Sequence, residues 1–138
     1  MNDMTASIGL VQLKKLPEML KRREQIASKY SLSFGKIPGL TIPPSKRNSD
    51  TLTHYMYWIQ LDKRDELANY LMKNNIYTTY RYWPLHRVSK FQYKGKELIG
   101  ADKATNITLN IPCHHNLSDS EVDYIISTIT DFAKKNLK

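Results

Sequence analysis

The last 20 residues constrain the fold most. Val122, Ile125, Ile126, Ile129 and Phe132 recur at helical spacing. Ser118-Asp119-Ser120-Glu121 stands just before them, a capping box in which serine and glutamate satisfy each other's backbone donors. A helix with one apolar stripe must bury that stripe, so the rest of the chain has to supply a cover. Ile107, Leu109 and Ile111 alternate with Thr108 and Asn110, which predicts a half-buried strand. His54–Leu61 is aromatic and β-branched and reads as a strand, as does Ile76–Tyr82. Between those two, Asp62 is placed to cap a helix whose apolar face is Leu67, Leu71 and Met72, and Asn74-Asn75 ends it.

The first third reads as helical. Asn2 or Asp3 can cap its start, and Ile8, Leu10, Val11, Leu13 and Leu16 form a stripe. Gly9 within that stripe predicts close approach of another backbone. Pro17 lacks an N–H and predicts a kink or the first residue of a new helical section. Met19, Leu20, Ile26, Ala27 and Tyr30 carry the apolar face onward. Gly35–Asp50, with Pro38-Gly39 and Pro43-Pro44, reads as loop, and residues 83–104 as an irregular stretch. The expected order is helix, strand, helix, strand, strand, helix. That is an α+β fold: a long N-terminal helical segment, then a small, mainly antiparallel sheet covered by helices.

The chain's 138 residues suit one domain. No stretch approaches the roughly 20 apolar residues of a membrane span, and the start carries no signal-peptide pattern. A single cysteine, Cys113, cannot form an internal disulfide, which points to a cytoplasmic setting. The net charge of +8 is spread over short groups such as Lys21-Arg22-Arg23, which read as solvated helix faces.

Most enzyme signatures are absent: no glycine-rich phosphate loop, no zinc-ligand spacing, no Gly-x-Ser-x-Gly turn. Cys113, His114 and His115 are sequence neighbours, and neighbours on an extended chain point to opposite faces. Cys113 therefore reads as a small buried hydrophobe rather than a nucleophile, and no metal site is expected. Tyr77-Thr78-Thr79-Tyr80-Arg81-Tyr82-Trp83 interleaves aromatic and basic groups, as base-stacking sheets do. The glycine-and-aromatic signature of an RNA-recognition sheet is missing, so nucleic acid is not the expected partner. His86 follows Trp83-Pro84-Leu85 and is placed either to meet a phosphate or sugar hydroxyl or to cap a turn.

Five segments in order resemble the DegT/DnrJ/EryC1/StrS aminotransferases. Residues 1–16, with Arg22-Arg23, Ile26-Ala27 and Tyr30, are similar to the helix that follows the family's Gly-Tyr-Asn-x-Arg motif. Ile37-Pro38-Gly39-Leu40 looks like the loop before its C-terminal sheet. Tyr57–Leu61 with Arg64–Leu67 resembles the first strand and helix there. Ile76–His86 resembles its substrate-side loop, and Ile111–Ser118 with Glu121–Ile125 its final strand and helix.

The resemblance implies the C-terminal domain of a type I aminotransferase fold. Residues 1–34 would be linking helices and residues 35–138 a small α+β domain, with the large cofactor-binding domain absent. It implies transfer of an amino group from glutamate or glutamine to a nucleotide-linked keto-sugar, with pyridoxal phosphate as cofactor, in a homodimer. The family's Ser-x-Ser-x-x-Lys motif is not found, and Lys46, which follows Ser45, lacks the second serine. The Gly-Tyr-Asn-x-Arg motif would fall just before Met1. The chain is therefore expected to be catalytically incomplete alone, with no catalytic residue and no covalently bound cofactor.

Arg81 and His86 are the expected substrate contacts. Asn2 and Asp3 are expected near the cofactor or the dimer contact, and His114 as support for the cleft. Arg87-Val88-Ser89-Lys90-Phe91 stands where the family often has Gln-Pro-x-Tyr. The alternatives are a free-standing basic domain binding RNA or protein, and a truncated product with the Ile8, Leu10 and Leu13 stripe exposed.

Overall fold

The computed structural model describes residues 1–44 and 52–137. Among the described residues four α-helices and two strands follow in the order α1 (Asp3–Phe34), β1 (Tyr57–Gln60), α2 (Arg64–Lys73), α3 (Ile99–Ile107), β2 (Thr108–Ile111) and α4 (Asp119–Asn136). Two short 3-10 turns, Leu85–Arg87 and Ser89–Phe91, precede α3. No helix among the described residues is long and apolar enough to cross a membrane.

β1 and β2 pair antiparallel, Tyr57 opposite Ile111 and Ile59 opposite Leu109. These four side chains share one buried face. Single bridges extend the sheet on both sides: Thr41 exchanges backbone hydrogen bonds with Gln60, and Thr79 with Asn110. The expected strand His54–Leu61 is thus shorter, and the expected strand Ile76–Tyr82 contributes only the bridge at Thr79. Its aromatic side chains do not enter the core: Tyr77, Tyr80 and Tyr82 are exposed. Asn110, expected on the polar face, is buried, and its side-chain amide donates to the Thr79 carbonyl at 3.2 Å.

The helices cover the buried face as the patterns require. α4 buries Val122, Ile125, Ile129 and Phe132, with Ile126 packed at the edge of the core. Its capping box is complete, Ser118 Oγ accepting from Glu121 N at 3.2 Å and Glu121 Oε2 from Ser118 N at 2.8 Å. α2 buries Leu67, Ala68 and Leu71, whereas Met72 is exposed. Lys63, not Asp62, precedes its first turn, and no side chain caps it. Residues 83–104, read as irregular, hold most of α3 and both 3-10 turns, whose weak apolar patterning reflects the absence of any buried residue in them.

α1 departs furthest from expectation. It runs unbroken through Pro17 for 32 residues, capped at its start by Asn2, whose Oδ1 accepts from Thr5 N at 2.9 Å. The Pro17 ring removes one helical hydrogen bond. Around it the helix is exposed, so water can satisfy the Leu13 carbonyl that loses its donor. Among the described residues nothing outside its own helix lies within 4 Å of the position a Cβ would take at Gly9, so none of them makes the close approach expected there. Ile8 and Leu13 are each 63% exposed, while Ile26, Ala27, Tyr30 and Phe34 are buried. Tyr30 stacks on Phe34 at 5.6 Å, meets Tyr57 edge-on at 5.2 Å, and donates to the Pro112 carbonyl at 2.8 Å. Part of the loop predicted over Gly35–Asp50, including Lys46, lies outside the described residues.

Replacing Tyr30 by Phe removes that hydrogen bond and leaves the carbonyl of Pro112 without a partner. Loss of about 1–3 kcal/mol is expected in a urea melt, with the helix content of the folded state unchanged. Glu121 sits below the ordinary carboxylate range because the Ser118 backbone and hydroxyl bind its charged form, despite opposing desolvation. A depressed folded value means the contribution is full above the unfolded carboxylate value and fades as pH falls through the folded one. The stability difference between wild type and Glu121→Gln should therefore shrink on acidification, measured by melts across that range.

Candidate functional site

The segment after α2 leaves the sheet at Thr79 and crosses toward α3. Between them opens a cleft of about 490 Å³. The start of α2 supplies Arg64 and Asp65, the crossing segment Tyr80–Trp83, the first 3-10 turn Arg87, α3 Ala104–Asn106, and β2 Thr108. Three guanidiniums, of Arg64, Arg81 and Arg87, thus share the cleft with one carboxylate, that of Asp65.

Each guanidinium is held differently. The Arg64 Cζ lies 4.3 Å from the centroid of the Tyr80 ring, a cation–π contact. Its Nε is 2.7 Å from Asp65 Oδ1, but the pair is not aligned as a hydrogen bond, and this buried Nε has no other partner among the described residues. Arg81 Nη1 donates to the Tyr55 hydroxyl at 3.2 Å. Arg87 lies over Trp83 with Cζ 5.9 Å from the ring centroid, and its Nε forms an ion pair with Asp102 Oδ1 at 2.7 Å that, like the Arg64–Asp65 pair, is not aligned as a hydrogen bond. The same oxygen takes His86 Nε2 at 3.0 Å. Partial burial raises the Asp102 carboxyl, but the polar contacts and charge of Arg87 and His86 outweigh it and hold it below the ordinary range.

Of the residues expected from sequence, Arg81 lines the cleft. His86 does not: its ring turns to Asp102 and rests edge-on against Tyr93 at 5.9 Å. Asn2 spends its side chain on the α1 cap, and Asp3 lies exposed in the first turn. His114 is exposed on the turn into α4, where its carbonyl accepts from Leu117 N at 3.2 Å. Arg64, Arg87 and Asp102 were missed. Each looks like an ordinary helix or loop charge in sequence, and only the folded path of residues 80–107 brings them together. Among the described residues no group of three or more histidines, cysteines or acids could hold a metal ion.

Residues 1–130 match the DegT/DnrJ/EryC1/StrS aminotransferase family. The chain is 43% identical over 123 residues to dTDP-4-dehydro-2,3,6-trideoxy-D-glucose 4-aminotransferase of Saccharopolyspora spinosa, covering 88% of this chain and 32% of that protein. It is 34% identical to the spore coat polysaccharide biosynthesis protein SpsC of Bacillus subtilis, covering 97% of this chain and 37% of that one. The crystal structure of the aminotransferase TlmJ from Streptoalloteichus hindustanus superposes with a TM-score of 0.93 at 40% identity, over 100% of this chain and 38% of that one. The PLP form of the sugar aminotransferase Spr1654 from Streptococcus pneumoniae superposes at 0.86 and 28% identity, over 100% of this chain and 37% of that one. The chain spans about a third of the length of the curated relatives it matches. These matches lend no support to a free-standing domain that binds RNA or protein.

A Schiff base with pyridoxal phosphate requires an amine. The described residues lining the cleft carry three guanidiniums, one carboxylate, and phenol, indole, amide and hydroxyl groups but no lysine. They do not fit a covalently held pyridoxal phosphate; they fit anionic oxygens.

Cys113 lies outside this chemistry. Burial pushes its thiol up to about 11, partly offset by the charge of Arg23. The native thiol is expected to react with a disulfide reagent at pH 8 at least about tenfold more slowly than in urea, because little thiolate forms and access is closed.

Proposed function

The chain belongs to the DegT/DnrJ/EryC1/StrS aminotransferase family, and from that premise we propose that it forms the C-terminal portion of a pyridoxal-phosphate-dependent transaminase of nucleotide-linked keto-sugars. In this reading the arginine cleft holds the substrate's diphosphate. The carrying observation is the convergence of Arg64, Arg81 and Arg87 on one cleft walled by Tyr80 and Trp83. A diphosphate presents several anionic oxygens in a short span, and guanidinium forks bind such oxygens two at a time. Aromatic walls lower the local dielectric and strengthen those contacts.

The bound cofactor would supply the electron sink of the reaction. This chain's own residues would bind and orient the sugar nucleotide. Arg81 lines the cleft, and among the described residues its guanidinium meets tyrosine hydroxyls, of Tyr55 and Tyr82, and no carboxylate, so its charge is available to the ligand. His86 acts at one remove, through Asp102 and the turn it shares with Arg87. Glutamate or glutamine is the proposed amino donor, and a cytoplasmic homodimer the proposed assembly, with Asn2 and Asp3 at the cofactor or dimer contact and His114 supporting the cleft.

The full enzyme that carries this chain as its C-terminal portion, given pyridoxal phosphate and nitrogen-labelled glutamate, should pass the label to a dTDP- or UDP-linked keto-sugar, read by mass spectrometry, and this chain alone should not. Arg81→Ala should raise KM for the sugar nucleotide about tenfold or more, the loss expected for a hydrogen bond to a charged group, with a smaller effect on kcat. Absence of label from every sugar nucleotide supplied overturns the reading.

A further inference from the structure

We propose that Asp102 is a positioning residue that fixes the Arg87 guanidinium in the cleft before the ligand arrives; this rests on the reading that the cleft takes a diphosphate. Residues 85–107 have no apolar anchor of their own. Neither 3-10 turn and no part of α3 contains a buried residue. Leu85, Phe91 and Ile99 are exposed. At its far end the segment is tied to the sheet by the hydrogen bond from Leu61 N to the Ile107 carbonyl at 3.1 Å. Across its middle the tie is Asp102, whose one oxygen takes both Arg87 Nε and His86 Nε2.

The Asp102 side chain is 28% exposed, that of His86 13% and that of Arg87 40%, so the contact is shielded from water on the Asp102 and His86 side. Such a contact resists screening better than an open surface pair. It engages only the Nε of Arg87, as an ion pair at 2.7 Å. The two terminal nitrogens make no hydrogen bond among the described residues, although Arg87 lines the cleft. A free arginine loses much rotamer freedom when it binds a ligand. One already held by a carboxylate and laid over Trp83 loses less, so the clamp raises affinity without touching the ligand.

The test is calorimetric titration of the chain with dTDP and with inorganic pyrophosphate, in wild type, Asp102→Asn, Arg87→Ala and the double variant. Asp102→Asn should weaken binding about tenfold when Arg87 is present and by less than about twofold in the Arg87→Ala background, as expected if the two act as one unit. Asp102→Glu keeps the charge and should recover most of the affinity. Equal binding by wild type and Asp102→Asn overturns the proposal. So does the same loss in both backgrounds, which would mark a general effect on the fold. If wild type binds neither ligand, the diphosphate reading falls and this proposal with it.

Discussion

Tyr30 is the point on which the fold depends. It is fully buried, stacks on Phe34 within its own helix, packs edge-on against Tyr57 of β1, and donates to the carbonyl of Pro112 just beyond β2. One side chain therefore binds the long helix to both strands. Ser31 adds a hydrogen bond to the Tyr57 hydroxyl at 2.9 Å, and Arg22 reaches the Leu117 carbonyl and Asp119 at the start of α4. With α1 fixed there, the sheet has a back and α4 has a lateral neighbour. Burial pushes the Tyr30 hydroxyl far above the ordinary phenol value, so it stays protonated, and a donor, at neutral pH.

Patterns tied to burial were legible in the sequence. The α4 stripe and the pair Leu109 and Ile111 each report a face that must leave water, and the structure buries them, while the capping box forms in water at the start of α4. Patterns at the margin of the core misled. The run from Ile76 to Tyr82 has strand-like residues, but only Thr79 pairs, and Tyr80 and Tyr82 line the cleft instead. Pro17 and Gly9 broke local rules without consequence because that half of α1 meets no neighbour among the described residues. Local cost decides structure only where packing or exposure does not override it.

The site was less legible than the fold for a related reason. Arg81 could be singled out because it stands among aromatics. Arg64 and Arg87 carry no such mark, being separated by 22 residues or more of sequence and joined only by the path of the chain around α3. Asp102 lies in a helix with no buried residue, where nothing in spacing separates a clamp from a solvated charge.

This contrast divides the molecule by the kind of force that holds it. The sheet and helices α1, α2 and α4 are held by contiguous apolar burial, which is cooperative and insensitive to salt. The cleft's outer wall is held by charge and hydrogen bonds around one carboxylate. A wall of that kind leaves the Arg87 side chain 40% exposed, while Arg64, on the α2 side and over Tyr80, is 13% exposed. An apolar core could not hold three such groups without burying unpaired charge. The arginines thus collect where the core ends, and the rigidity they need comes from Asp102 and the aromatic rings rather than from packing.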